Sequence, residues 1–218
     1  MCIIPTFTKT TYLLIIKENI LAQLFVIYTR YLVGSGFVFA SIVKIKGERF
    51  TTVSHQDAPF GTAFHFFETM YQTGIYWQFL GWGQLVAGLL LMTQRFAKLG
   101  AVVFFPIILN VFVITISMEF AFTPVITFLM LMANLLLLLW HWDELKILLN
   151  LTPTLPDANR LENKKIWEIT GWILFLMTAG YRAINTLYNP MLWMGMLVLV
   201  GLIPLILVGV QRNKYLRF

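Results

Sequence analysis

Arg30 is the residue of this chain that most needs a chemical explanation. It sits inside an apolar run, Leu21 to Val43, where lipid cannot solvate a guanidinium. A charge in such a place normally faces a bundle interior and has a partner there. Arg30 lies about nine residues into the run, hence about 14 Å along a helix axis. The competing reading is a long side chain snorkelling to the interface. Gln84, Asn110 and Asn134 interrupt other apolar runs at comparable depth. The expected arrangement is a buried polar cluster in which the Gln84 and Asn134 carbonyl oxygens receive guanidinium hydrogens, with Asn110 as a further member. Taken singly, each amide is ordinary interhelical glue. Glu119 stands at the far end of its run and matches Arg30 poorly in depth.

A second group lies between apolar runs. His65 and Glu68 are three residues apart, which puts both on one side of a helix, and His55 and Asp57 are close in sequence. Metal centres usually need three or four convergent ligands, so this set is a ligand-binding candidate and not an expected metal site. His141-Trp142-Asp143 reads as the interfacial end of an apolar helix, with Trp140 and Trp142 as belt residues. A haem between helices needs axial ligands deep in the bundle, and no histidine lies mid-run. No Walker loop, no GxGxxG and no serine or cysteine triad is present, so no catalytic residue is assigned. The single cysteine, Cys2, excludes an internal disulfide or thiol pair.

The elements that would hold these residues are membrane helices. The chain is 59% hydrophobic and 12% charged, with mean hydropathy +0.77. A soluble domain carries roughly a quarter charged residues, so lipid must cover much of this surface. The net charge of +6 does not point to nucleic acid, because the basic residues flank apolar runs instead of forming one amphipathic face.

A crossing needs about 20 mostly apolar residues. Six segments qualify: Leu21 to Val43, Gly74 to Thr93, Ala97 to Met118, Ala121 to Trp140, Ile166 to about Ala183, and Met191 to Val210. The fifth is the shortest and is bounded by Glu168 and Arg182. With the N-terminus inside, eleven Lys and Arg lie in inside segments and four in outside segments, as the positive-inside rule requires. Both termini are therefore expected in the cytoplasm. Residues 1–20 read as a cytoplasmic segment without a cleavage site, their last part approaching the first helix. Residues 44–73 form an external loop whose aromatic density (Phe60, Phe64, Phe66, Phe67, Tyr71) predicts an interfacial or re-entrant helix. Residues 149–165 form a cytoplasmic linker broken at Thr152-Pro153-Thr154-Leu155-Pro156. This hinge separates a four-helix bundle, 21–148, from two further helices and a basic tail, 166–218.

Small residues predict close packing of the first two spans: Gly34, Gly36, Ala40 and Ser41 against Gly81, Gly83, Ala87 and Gly88. Pro106 and Pro124 are expected to kink the third and fourth spans or shape their ends.

Arg30-x3-Gly34-x-Gly36, ending at Lys44, resembles the opening helix of the DoxX-like membrane family. So does Gly81-x2-Gln84-x3-Gly88-Leu89-Leu90-Leu91, followed by Arg95-Phe96-Ala97-Lys98-Leu99-Gly100. The resemblance covers residues 21–148. It implies an all-α polytopic bundle in the cytoplasmic (inner) membrane of a bacterium; the last two helices and the long external loop depart from the four-helix pattern. Relatives of that kind serve quinone-coupled oxidation, redox-stress complexes and the assembly of other membrane proteins. Thiol-handling relatives use cysteines that this chain lacks. Two functions follow as expectations. One is a non-catalytic subunit or assembly partner, contacting lipid and a membrane protein partner or a second copy of itself. The other is the membrane part of an oxidoreductase that binds quinone, with Arg30 and Gln84, or His65 and Glu68, at the quinone head. A solute transporter fits less well, because no acid lies mid-span.

Overall fold

The computed structural model describes residues 17–50, 54–153, 160–185 and 189–215. Segment 1–16, hinge residues 154–156 and the last three residues of the tail lie outside the described residues. All regular structure among those described is helical. In chain order the helices are α1 (Ile20–Ile45), α2 (Ala63–Gln72), α3 (Ile75–Met92), α4 (Ala97–Ser117), α5 (Thr123–Trp140), α6 (Trp142–Leu145), α7 (Lys165–Ile184) and α8 (Pro190–Tyr215). Short 3₁₀ turns cover Lys146–Leu149 and Leu161–Asn163. Five helices are long and apolar enough to cross a membrane: α1, α3, α4, α5 and α8. This makes the chain an α-helical integral membrane protein. The expected loop helix is α2, started by the Thr62 side chain, which accepts from the His65 amide.

The sequence places α1 at the centre. Val26, Val33 and Phe37 recur at helical spacing on one face and pack against Ala87, Leu91, Phe104, Ile108, Leu131 and Leu137 of α3, α4 and α5. Ile27, Tyr31 and Val38 line the adjoining face and pack against Met92, Trp167 and Leu174. One helix thus serves two cores, the first within the four-helix unit and the second beneath α7 and α8. The last two helices are packed along α1 and not hung from a hinge.

Gly34, Gly81 and Gly88 act as expected between α1 and α3, whereas Gly36 faces Met130 of α5 and Gly83 faces Ile107 of α4. A Cβ on Gly88 would lie 2.7 Å from the Gly34 carbonyl oxygen, and one on Gly81 would lie 2.8 Å from Lys44 Cβ. Such contacts bring backbones close enough for dispersion forces to hold helices together in lipid. Pro124 occupies the first turn of α5, where its missing N–H costs nothing, while Pro106 lies inside α4.

Helix lengths set the relative depths. α1 has 26 residues, against 18 for α3 and 18 for α5. Gly34 packs on Gly88 and Met92, so α3 ends near the level of Gly34. Arg30 lies one turn further on, at the end of the shorter helices.

Candidate functional site

Arg30 is 1% exposed, and three segments converge on its guanidinium. Nη1 donates to Gln94 Oε1 at 2.7 Å, in the turn between α3 and α4. Nη2 meets His141 Nε2 at 2.8 Å, just past the end of α5. Nη2 also donates to a Glu162 carboxylate oxygen in the 3₁₀ turn before α7, with which Arg30 forms an ion pair. Because Arg30 cannot give up its proton, His141 Nε2 is the acceptor of that contact. The ring proton is then on Nδ1, which lies 3.8 Å from Glu144 Oε1.

Local structure fixes each partner. Gln94 has φ of 59°, the left-handed region that a non-glycine residue occupies at some cost; this backbone ends α3 and turns its side chain to Arg30. His141 caps α5 and is 2% exposed. Glu162 is held near α1 by its neighbour Leu161, whose amide donates to Gln23 Oε1 at 2.7 Å. Gln23 Nε2 in turn donates to the Lys17 carbonyl oxygen at 2.8 Å, and Lys17 Nζ binds Asp143 at 2.5 Å.

Charge surrounds this core. Lys98 pairs with Glu144. Arg160 lies 3.3 Å from Glu162 and 3.8 Å from Glu144. Burial alone would raise the Glu144 carboxyl, but the adjoining His141 imidazole and the Lys98 ammonium hold it at about 2. Burial likewise opposes ionisation of Glu162, and the charge of Arg30 outweighs it, keeping that carboxyl below its ordinary value. Burial pushes His141 down, against the pull of Glu144, so the imidazole is neutral at pH 7. Beside the cluster opens a cavity of about 400 Å³ lined by Arg30, Gln94, His141 and Glu144. Arg95, Lys98, Arg160, Lys164, Glu162 and Glu168 also reach it.

These partners correct the sequence expectation. Gln84 and Asn134 do not reach Arg30. Gln84 lies ten residues before Gln94 on α3, about 15 Å deeper, and Asn134 lies seven before His141, about 10 Å deeper. Asn134 is fully buried and donates from Nδ2 to the Ala101 carbonyl oxygen at 3.2 Å, joining α5 to α4. Gln84 is also buried, with Oε1 making no hydrogen bond. Asn110 is exposed, on a groove with Pro106, Tyr76 and Phe66. His141, expected as a belt residue, is buried in the cluster instead.

The external loop also differs from its expected form. Arg49 grips the Glu68 carboxylate with Nε and Nη2, at 2.9 to 3.0 Å, and the His55 amide donates to it at 3.3 Å. Those hydrogen bonds hold Glu68 below the usual carboxylate range. His65 stacks near Phe60 and His55 near Phe64, so the imidazoles and Glu68 do not form a shared ligand set; Asp57 is exposed. Among the described residues no group of three or more His, Cys, Asp or Glu could hold a metal ion.

Sequence reasoning missed Gln94, Glu144 and Glu162. The available signal was charge: Glu144 and Glu162 are acids in the segment that follows α5, on the side where Arg30 enters the bundle.

No family model and no solved structure matches the chain. It is 41% identical over 66 residues to the uncharacterized protein YwoB of Bacillus subtilis, a match that covers 30% of this chain and 42% of that protein.

Proposed function

We propose that this chain is a DoxX-like bacterial inner-membrane protein with six crossings, working as a non-catalytic subunit or assembly partner of a membrane complex. The sixth crossing is α7. Its 20 residues span about 30 Å, the thickness of the hydrocarbon core. It runs alongside α1 in the same direction: Tyr31 bonds the Trp167 carbonyl oxygen, Arg182 stacks on Phe39, and Lys46 reaches the Ala183 carbonyl oxygen. α8 returns antiparallel, with Trp193 against Phe39 and Gly201 against Tyr28. The charges that make α7 polar, Glu168 and Arg182, stand near its two ends. Six crossings keep both termini on one side, and the Lys and Arg bias makes that side the cytoplasm.

The observation that carries the non-catalytic reading is the state of the Arg30 cluster. General acid–base groups work best with a pKa near the working pH. Here Glu144 and Glu162 are locked as carboxylates by Lys98 and Arg30, and Arg30 is committed to three partners. The cluster ties the α3–α4 turn, the end of α5 and the linker before α7 to α1, which is what a rigid docking body requires. Purification from native membranes in a mild detergent, followed by mass spectrometry of protein and lipid, tests this. A stoichiometric membrane protein partner is expected. A bound quinone with no partner would overturn it.

A lipid-soluble ligand has one observation in its favour. An almost wholly apolar cavity of about 350 Å³ lies between α1, α7 and α8, with Leu32, Leu174, Met194 and Leu205 on its walls. The hydroxyls at its edge, Tyr28 and Tyr31, already donate to the Gly201 and Trp167 carbonyl oxygens. They are poorly placed to bind a quinone carbonyl, and this ranks the quinone reading second.

A further inference from the structure

We propose that the cavity beside Arg30 is a binding site for a phosphate group, carried either by an anionic lipid headgroup or by a soluble phosphate. The inference is separate from the subunit reading and does not need a protein partner. Its first support is an excess of unspent donors. Nε of Arg30, Nε2 of Gln94 and Nδ1 of His141 belong to side chains that are at least nine-tenths buried, line the cavity and make no hydrogen bond with these atoms. Each of these atoms is a donor once Arg30 has fixed the His141 tautomer. Buried donors without acceptors are costly, and a phosphate offers several acceptor oxygens at once.

The second support is charge. Five cations reach the cavity against three carboxylates. Glu162 and Glu144 are already neutralised by Arg30 and Lys98. Arg95 and Lys164 stand exposed at the rim and form no ion pair among the described residues, so the net field favours an anion. The third support is place. The cavity lies where α3 and α5 end and α4 and α7 begin, at the ends of apolar helices on the side assigned to the cytoplasm. Basic residues at the cytoplasmic ends of membrane helices attract anionic headgroups.

The test uses the full-length protein in a neutral detergent, beside a variant carrying Arg95→Gln and Lys164→Gln. Both changes are at exposed positions, so the fold should survive them. One arm titrates inorganic phosphate against chloride at matched ionic strength and reads the unfolding temperature. The other compares phosphatidylcholine vesicles with vesicles of phosphatidylcholine and phosphatidylglycerol, and reads lipid retained in native mass spectrometry. Stabilisation by phosphate alone identifies a soluble phosphate as the source, and retention of phosphatidylglycerol alone identifies a lipid headgroup. Either result supports the site, provided that the variant binds about tenfold or more weakly, the loss expected for one charge-assisted hydrogen bond. No response in either arm, or an equal response from the variant, overturns it.

Discussion

Arg30 and Glu162, 132 residues apart in the chain, form a buried ion pair where the four-helix unit meets the linker to the last two helices. The pair has a direct mechanical meaning. Arg30 is on the helix that serves both hydrophobic cores, and Glu162 is three residues before α7 begins. Gln94 and His141 engage Nη1 and Nη2 of the same guanidinium. One side chain on α1 therefore fixes three otherwise independent connections.

Removing either partner should cost more than the pair itself contributes. Arg30→Leu leaves Glu162 buried without its main counter-charge, a loss of about 3–5 kcal/mol by the behaviour of broken buried pairs. The double variant Arg30→Met with Glu162→Met should recover much of that. Thermal unfolding in detergent reads both. Equal stability of wild type and Arg30→Leu would mean that the cluster does not hold these segments together.

Acid should loosen this end of the molecule. His141 is held below its ordinary value, so the unfolded chain takes up its proton first and stability falls as pH drops below about 6.5. Glu144 is held at about 2 and Glu162 is also depressed. Their contribution is complete above the ordinary carboxylate range and is lost as pH falls towards about 2. All three act in the same direction. The unfolding temperature should be flat above pH 7 and decline below it, and His141→Gln should remove the upper part of the decline while leaving the acid part.

Much of this architecture is written in the sequence, because lipid imposes a simple demand. Backbone polar groups must be satisfied within each crossing, so long apolar runs become helices, and the observed ends fall within a few residues of those expected. The Gly34 and Gly88 contact was legible for a similar reason: small residues at helical spacing have few other uses in lipid. The partners of Arg30 were not legible. Depth along one helix does not reveal how far a neighbour is offset, and eight extra residues in α1 put Arg30 level with turns, not with mid-helix amides. His141 was hidden by its neighbours, since Trp140 and Trp142 make the segment look like an interfacial belt. Glu162 belongs to a loop that folds back under α1, and nothing local in Leu-Glu-Asn announces that.

Close packing gives a sharp contrast between two glycines of α7. A Cβ on Gly171 would fall 1.8 Å from the Met92 carbonyl oxygen, whereas one on Gly180 would meet nothing within 4 Å. Gly171→Ala should force α7 away from α3 and cost about 1–3 kcal/mol or more, as overpacking does. Gly180→Ala should be neutral or slightly stabilising, since alanine is the better helix former. Unfolding temperatures of the two variants, measured side by side, check this.

The outer loop should respond locally. Glu68→Gln weakens the grip of Arg49 and the contact from the His55 amide without touching either core. Limited proteolysis between α1 and α2 should become faster while the unfolding temperature stays unchanged. A fall in global stability would mean that the loop is part of the main body.

A six-span body with the Arg30 cavity on the cytoplasmic side requires α7 to cross the membrane. Single cysteines placed by Lys164→Cys before α7 and by Pro190→Cys after it, in a Cys2→Ser background, can be labelled in whole cells with a membrane-impermeant maleimide. Pro190→Cys should be labelled in intact cells and Lys164→Cys only after permeabilisation. Labelling of both from the same side would show that α7 does not cross and that the body has five spans.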